Sequence, residues 1–322
     1  MGSRARALGL AAGFLADRAF GDPRRGHPVA LFGRVAGGVE RVGYADSRAR
    51  GAAYTVLLVG GTAVVAEVAQ RRMRGGVAEV VVVAVSTFTV LGGTSLVREA
   101  EAMARLLEAD DLAGARDRLS HVCARDAADL ESPDLARATV ESVAENTSDA
   151  VVAPLFWGAL FGVPGLLGYR AANTLDAMVG YRSARYERFG WASARVDDLL
   201  NLPPARVAAM LTVAVADRPG DAWRIWRRDG AHHPSPNAGQ VEAAAAGALG
   251  VRLGGANDYF GVTENRGVMG DGRPVDVADV RRSAALSRRV SSAATVAAVL
   301  GALVAARAAD ALPPVPAVWR RR

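Results

Sequence analysis

The chain has 322 residues, a formal net charge of +6, 51% hydrophobic residues and a mean hydropathy of +0.13, yet only 6% aromatics. All 39 basic residues are arginine and the one cysteine is Cys123, which excludes a P-loop lysine, a Schiff-base lysine, an intrachain disulfide and a cysteine metal cluster. The arginines are spread through every polar segment instead of forming a tract with interleaved aromatics, so no nucleic-acid partner is expected.

The apolar run 7–16 meets Asp17 and Arg18 too early for a secretory signal. Polar segment 17–50 follows, with the turn "GDPRRGHP" placing Asp22, Arg24 and His27 between two prolines. A membrane-crossing helix needs about 20 mostly apolar residues. Candidate spans on that basis are 51–70, 78–97, 150–169, 202–217 and 290–307. Between them, polar segments 98–149, 170–201 and 218–289 carry the remaining chemistry. Apolar positions in 98–119 recur at helical spacing, and strand-like alternation is scarce.

This pattern predicts one all-α domain, a polytopic integral membrane protein whose polar helical loops hold the site. A soluble helical protein with buried apolar helices is the open alternative. Arginine counts put loops 17–50 and 98–149 together on the cytoplasmic face.

The densest chemistry lies in "ATVESVAENTSDAVVAP", 138–154. Glu141 and Glu145 are one helical turn apart, and Asp149 extends the same face. Like charges at that spacing repel, and hard carboxylate oxygens suit Mg²⁺; a solvated helix end would also carry them. In 169–206, Asn173, Asp176, Asp197 and Asp198 alternate with Arg182, Arg195 and several aromatics. An interfacial belt explains the aromatics, but not so many carboxylates beside an apolar edge, where charge is costly unless paired or functional. Finally, "HHPSPNAGQVEAAAAGALG" sets His233, Ser235 and Asn237 in a proline-stiffened turn before an Ala-rich helix.

Taken together, "LADRAFGDPRRGHPVALFGR", "ESVAENTSDAVVAPLFW", "AANTLDAMVGYRSARYERFGWASARVDDLLNLPPAR" and "HPSPNAGQVEAAAAGALGVRLGGANDYFG" resemble the CobD/CbiB family of cobalamin biosynthesis, the adenosylcobinamide-phosphate synthases. The motifs run in the family's order from about residue 15 to 261. Gln240-Val241 departs from the pattern, where an aromatic and a proline would be expected before Glu242.

The resemblance implies a multi-pass cell-membrane enzyme that joins the free propionate carboxyl of adenosylcobyric acid to aminopropanol or its O-phosphate. It implies an ATP- and Mg²⁺-dependent amide ligation, in the lipid bilayer and alongside other late cobamide-pathway membrane enzymes. A non-catalytic corrinoid-binding or transport component is the alternative.

On this reading Glu141, Glu145, Asp149, Asp176, Asp197 and Asp198 are catalytic, and Glu141, Glu145, Asp197 and Asp198 hold Mg²⁺. Asp22, Arg24, His27, Asn146, Asn173, Arg182, Arg195, His233, Ser235 and Asn237 bind substrate. One difficulty follows: a single crossing by 150–169 would part Asp149 from Asp176. Pro154, Pro164 and Gly165 suggest that this window breaks or re-enters instead.

Overall fold

The computed structural model describes residues 2–23, 26–119, 127–181, 183–259 and 262–311; for 256–259, 262–265 and 305–311 it describes the backbone alone. The described residues are overwhelmingly helical, in keeping with the all-α expectation.

Helix α1 (Ser3–Phe20) and helix α5 (Gly76–Val90) lie parallel and very close. Their contact is made by Gly9 and Gly13: a Cβ on Gly9 would come within 2.5 Å of Val83 Cβ, and one on Gly13 within 2.4 Å of Thr87 Cβ. Small residues four apart let two backbones approach, the packing that membrane helices use where hydrophobic exclusion offers no drive.

After α2 (Pro28–Gly43), helices α3 (Arg48–Thr55) and α4 (Gly61–Arg72) form one continuous rod through a π-wound turn at 56–60. This rod and the run Gly76–Glu108 are long and apolar enough to cross a membrane. The second run is interrupted: Leu91 is extended (ψ 147°), so α5 ends and α6 (Gly93–Glu108) starts afresh.

The window 150–169 is not one helix. Five π-wound residues, 148–152, lead from α8 (Ser132–Thr147) into α9 (Ala153–Phe161). Gly162 then takes φ +71°, which favours glycine, and α10 (Val163–Leu175) folds back along α9. A Cβ on Gly165 would sit 2.1 Å from the Trp157 carbonyl oxygen, so the two arms touch backbone to backbone.

The hairpin tip is held at the far ends of its neighbours. Val163 N–H donates to Gln70 Oε1 at 2.7 Å, and Arg6 Nη1 donates to the Ala159 and Leu160 carbonyls at 2.7 and 2.8 Å.

The chain then enters a third π-wound turn, 176–180, and α11 (Trp191–Val215). Although 202–217 reads as apolar, α11 carries Pro203 and Pro204 and buries Ala205, Ala208, Ala209 and Thr212 within the bundle. It packs on α13 (Ala238–Leu249) and on α14 (Val277–Ala311).

Helix α12 (Pro219–Asp229) packs on α11 and α13, α7 (Leu112–Leu119) packs on α6 and α8, and beside α13 lies an antiparallel hairpin, β1 (Leu253–Tyr259) and β2 (Val262–Met269), that the sequence pattern did not announce. The window 290–307 lies within the 35-residue α14. Its Ala294 and Ala298 are buried, whereas Val296, Leu300 and Val304 face outward.

Candidate functional site

The hairpin returns both of its feet to the same end of the bundle, and the acidic motifs ride on those feet. Asp149 is the second residue of the 148–152 turn and Asp176 the first of the 176–180 turn. π-wound insertions often occur at functional sites, because they re-aim side chains that a regular helix would stagger. Here they bring Asp149 and Asp176 into range of Glu145, Asp197 and Asp198.

Mutual repulsion and burial are written in the acidities. Burial, and then the Asp197 and Glu145 charges, push the Asp149 carboxyl well above the ordinary range. Asp197 rises to about 7, first through burial and then through Asp176, although hydrogen bonds from Asn173 and Asn201 oppose the shift. Asp176 rises to about 6 through burial, Asp198 and Glu145.

Two asparagines clamp Asp197. Asn173 Nδ2 donates to Oδ1 at 3.4 Å, and Asn201 Nδ2 donates to Oδ2 at 3.0 Å. Asn201 is in turn fixed by the Tyr169 hydroxyl at 2.8 Å, and Asn173 by Arg170 at 3.2 Å. Asn201, Tyr169 and Arg170 were outside the sequence-derived site; the four-residue step from Asp197 to Asn201 was the available signal.

Asp198 opens onto a cleft of about 560 Å³, bordered by Arg48, Tyr186, Trp191, Arg195 and Ser235. Arg195 pairs with Asp198 at 3.6 Å, and Trp191 Nε1 donates to the Arg48 carbonyl at 3.0 Å. Across this cleft the HPSPN loop meets the acidic helix: Asn237 Nδ2 donates to the Asp198 carbonyl at 2.9 Å. Two separate sequence motifs therefore form one wall.

Other expected residues are placed differently. Glu141 lies on the acidic face of α8 but is turned to structural use: its Oε1 accepts the Gly254 N–H at 2.8 Å and lies 3.6 Å from Arg137. Asn146 donates back to Ser142 within its own helix. His233 does not line the cleft. Its ring is buried, with Nδ1 accepting the Ser235 N–H at 2.9 Å and Nε2 lying 3.9 Å from Glu242.

Asp22 and His27 pair at 3.4 Å, and the His27 Nδ1 accepts the Val29 N–H at the start of α2. Their turn adjoins the acidic site, because a Cβ on Gly92 would be 3.9 Å from Asp22 and 3.6 Å from Ala150. Arg24 and Arg182 lie outside the described residues.

The carboxylates suit Mg²⁺ in kind, since hard oxygens crowded together gain from a shared cation. Among the described residues no three His, Cys, Asp or Glu side chains converge as a ready-made metal cage. Mg²⁺ commonly takes one or two carboxylates and completes its shell with water and substrate phosphate, so the arrangement is compatible with it.

Comparison with known proteins agrees with these motifs. Residues 10–287 match the model of the "CobD/Cbib protein" family. The chain is 52% identical over 299 residues to the cobalamin biosynthesis protein CobD of Mycobacterium tuberculosis (strain CDC 1551 / Oshkosh), covering 92% of this chain and 95% of that one. It is 42% identical over 292 residues to CobD of Chromobacterium violaceum, covering 88% and 92%, and 41% identical over 280 residues to CobD of Rhodobacter capsulatus, covering 85% and 88%. No solved structure matches the chain significantly. Spanning most of its relatives' length and carrying the family's motifs, the chain belongs to the CobD/CbiB family.

Proposed function

We propose that the protein is a membrane-embedded amide ligase of cobalamin biosynthesis, which joins the free propionate carboxyl of adenosylcobyric acid to aminopropanol or its O-phosphate at the expense of ATP. The carrying observation is the convergence of Asp149, Asp176, Asp197 and Asp198 beside an arginine-bordered cleft.

A carboxylate is a poor electrophile and must be activated, usually as an acyl phosphate. Mg²⁺ at Asp149, Asp176 or Asp197, with Glu145 and Asp198 nearby, would supply charge neutralisation at the ATP phosphates. Glu141 leaves this set, being engaged by Gly254 and Arg137.

With no lysine in the chain, Arg48 and Arg195 are the cations at the cleft for phosphate or propionate groups. Asp197, with its acidity near 7 and its neighbour Asp198 on the cleft, is suited to take the proton of the attacking ammonium, whereas the His233 ring is turned to Ser235 and Glu242. Trp191 and Tyr186 offer flat apolar surface to a planar ligand.

Membrane residence is supported by the two long apolar runs and by side chains that point outward from them. Val56, Val65, Val77 and Val85 are all more than half exposed, at 71%, 70%, 77% and 58%. The close glycine packing of α1 on α5 fits the same setting. A transport or binding role would call for ionisable groups in the middle of spans; here the acids gather beside a cleft.

The test is an assay of purified protein with adenosylcobyric acid, aminopropanol phosphate and ATP–Mg, each omitted in turn. Amide product only in the complete mixture is expected. Product without nucleotide would overturn the ATP-dependent activation, and no product in any mixture would overturn the ligation.

A further inference from the structure

The connection from α10 to α11 passes along the edge of the cleft with little structure of its own. Over 183–190 it makes one tight turn, in which the Glu187 N–H donates to the Ser183 carbonyl at 2.9 Å and the Gly190 N–H to the Tyr186 carbonyl at 2.7 Å. Its Tyr186 and Glu187 border the cleft. An exposed turn with so few backbone bonds sits at the low-stability end of a fold unless something outside it holds it.

The C-terminal end of the turn is pinned by backbone contact. A Cβ on Gly190 would stand 1.7 Å from the Val179 carbonyl oxygen, and one on Gly51 would stand 1.8 Å from that of Phe189. Phe189 is itself fully buried, its ring 5.3 and 5.1 Å from those of Tyr44 and Tyr54. The front of the turn, which carries Tyr186, is held through side chains instead.

Those side chains meet at Glu40 on α2, which is 8% exposed. Its Oε1 accepts both the Tyr186 hydroxyl at 2.9 Å and Arg185 Nη2 at 3.0 Å. Tyr44 reinforces the grip: the Arg185 guanidinium lies 4.1 Å from its ring centre, and its hydroxyl donates to the Arg185 carbonyl at 2.9 Å. A further tie, Arg188 with Asp46 at 3.7 Å, joins two exposed side chains and contributes little. Burying a carboxylate is costly unless it is paired and hydrogen-bonded, so Glu40 and its two donors depend on one another.

Across the cleft stands the HPSPN loop, which borders it through Ser235 and is tied to α11 by the bond from Asn237 to the Asp198 carbonyl. Both walls are therefore fastened before a ligand arrives. Holding a binding surface in its bound form beforehand removes the ordering cost from the binding step. Glu40 stands apart from the acidic cluster and is not among the groups that shift Asp149, Asp176 or Asp197.

We infer that Glu40 is a positioning residue for the cleft: acting through Tyr186 and Arg185, it holds 183–190 as the wall against which the corrinoid seats. The identity of that ligand rests on the ligation reading above; the fastening of the wall stands without it.

The test has two arms, both on the full-length protein in nanodiscs. In the ligation assay, Glu40→Ala is expected to raise the KM for adenosylcobyric acid about tenfold while kcat stays within about twofold. Glu40→Gln, which keeps an acceptor for Tyr186, should recover most of that loss. Tyr186→Phe, which keeps the ring and the pair of Arg185 with Glu40, should raise KM about threefold, the effect of one neutral hydrogen bond. In hydrogen exchange with no substrate present, Glu40→Ala should speed exchange of the Glu187 and Gly190 amides at least tenfold and leave α9 as in the wild type.

A folded Glu40→Ala protein with wild-type KM, or one that loses kcat at unchanged KM, would overturn the positioning role. Should Glu40→Ala not fold, a wild-type KM in Tyr186→Phe overturns it equally. Unchanged exchange at Glu187 and Gly190 would overturn the fastening itself. A wild type that ligates nothing counts against the ligation reading, and the exchange arm then decides the wall alone.

Discussion

Asn237 Nδ2 donates to the backbone carbonyl of Asp198 at 2.9 Å, and this bond ties the HPSPN loop to the acidic helix across the cleft. The tie is built on a stiff loop: the Ser235 hydroxyl accepts the N–H groups of Asn237 and Ala238 at 3.3 and 3.2 Å, and His233 accepts that of Ser235. Asn237→Ala removes this cross-link, a net loss of about 0.5–1.5 kcal/mol. The variant should fold with a lower Tm and show a KM for the corrinoid raised about tenfold, equivalent to about 1.4 kcal/mol. An unchanged KM in a folded variant would separate this loop from substrate binding.

The acidic cluster opposes folding at neutral pH. Asp197 and Asp176, raised to about 7 and about 6, bind protons more tightly in the folded chain than in the unfolded one. Stability therefore rises as pH falls from about 8 towards the unfolded carboxylate value of about 3.9, and is lost again as pH climbs through the folded values. Asp197→Asn should raise Tm at pH 8, flatten the pH dependence between 5 and 8 and abolish ligation. Thermal scans of wild type and variant across that range check the sign; a wild-type Tm that increases from pH 5 to 8 contradicts it.

Much of this was readable from the residues, and the exceptions have identifiable causes. The acidic set and the HPSPN loop could be found by composition because burying carboxylates, prolines and asparagine so near apolar runs is costly without purpose. What could not be read is how winding changes partners. Glu141, Glu145 and Asp149 share a face at regular spacing, yet Glu141 is drawn to the β1 backbone while Asp149, inside a π-wound turn, meets Asp176 and Asp197 instead. The window 150–169 does break, as its prolines and glycine suggested, with the reversal at Gly162, whereas 202–217, similar by hydropathy, lies within α11 and buries Ala205, Ala208, Ala209 and Thr212.

The contact between α1 and α5 should be intolerant of any added bulk. At Gly13 a Cβ would stand 2.4 Å from Thr87 Cβ and 2.6 Å from the Ala84 carbonyl oxygen, with backbone on one side and a β-branched side chain on the other. Overpacking of this kind typically costs about 1–3 kcal/mol, and rigid neighbours push it to the upper end. Gly13→Val should therefore lower Tm in detergent sharply, whereas Gly43→Ala, where nothing stands within 4 Å of a new Cβ, should not. Equal Tm values for the two variants would mean that the helices separate without cost.

The reversal at Gly162 makes the most direct prediction about topology. At about 1.5 Å per residue, the nine residues of α9 rise roughly 14 Å, about half of a 30 Å hydrocarbon core. With the 148–152 turn added the arm is longer, and its tip bonds to Gln70 near the far end of the α3–α4 rod and to Arg6, so the chain reaches deep into the bundle, reverses, and returns both feet to the cleft end. Asp149→Cys and Asp176→Cys, each in a Cys123→Ser background, should therefore react with a membrane-impermeant thiol reagent from the same face of oriented vesicles. Arg74→Cys, at the opposite end of the α3–α4 rod, is exposed and should react from the other face. Labelling of positions 149 and 176 from opposite faces would overturn the hairpin arrangement and, with it, a single active site containing both carboxylates.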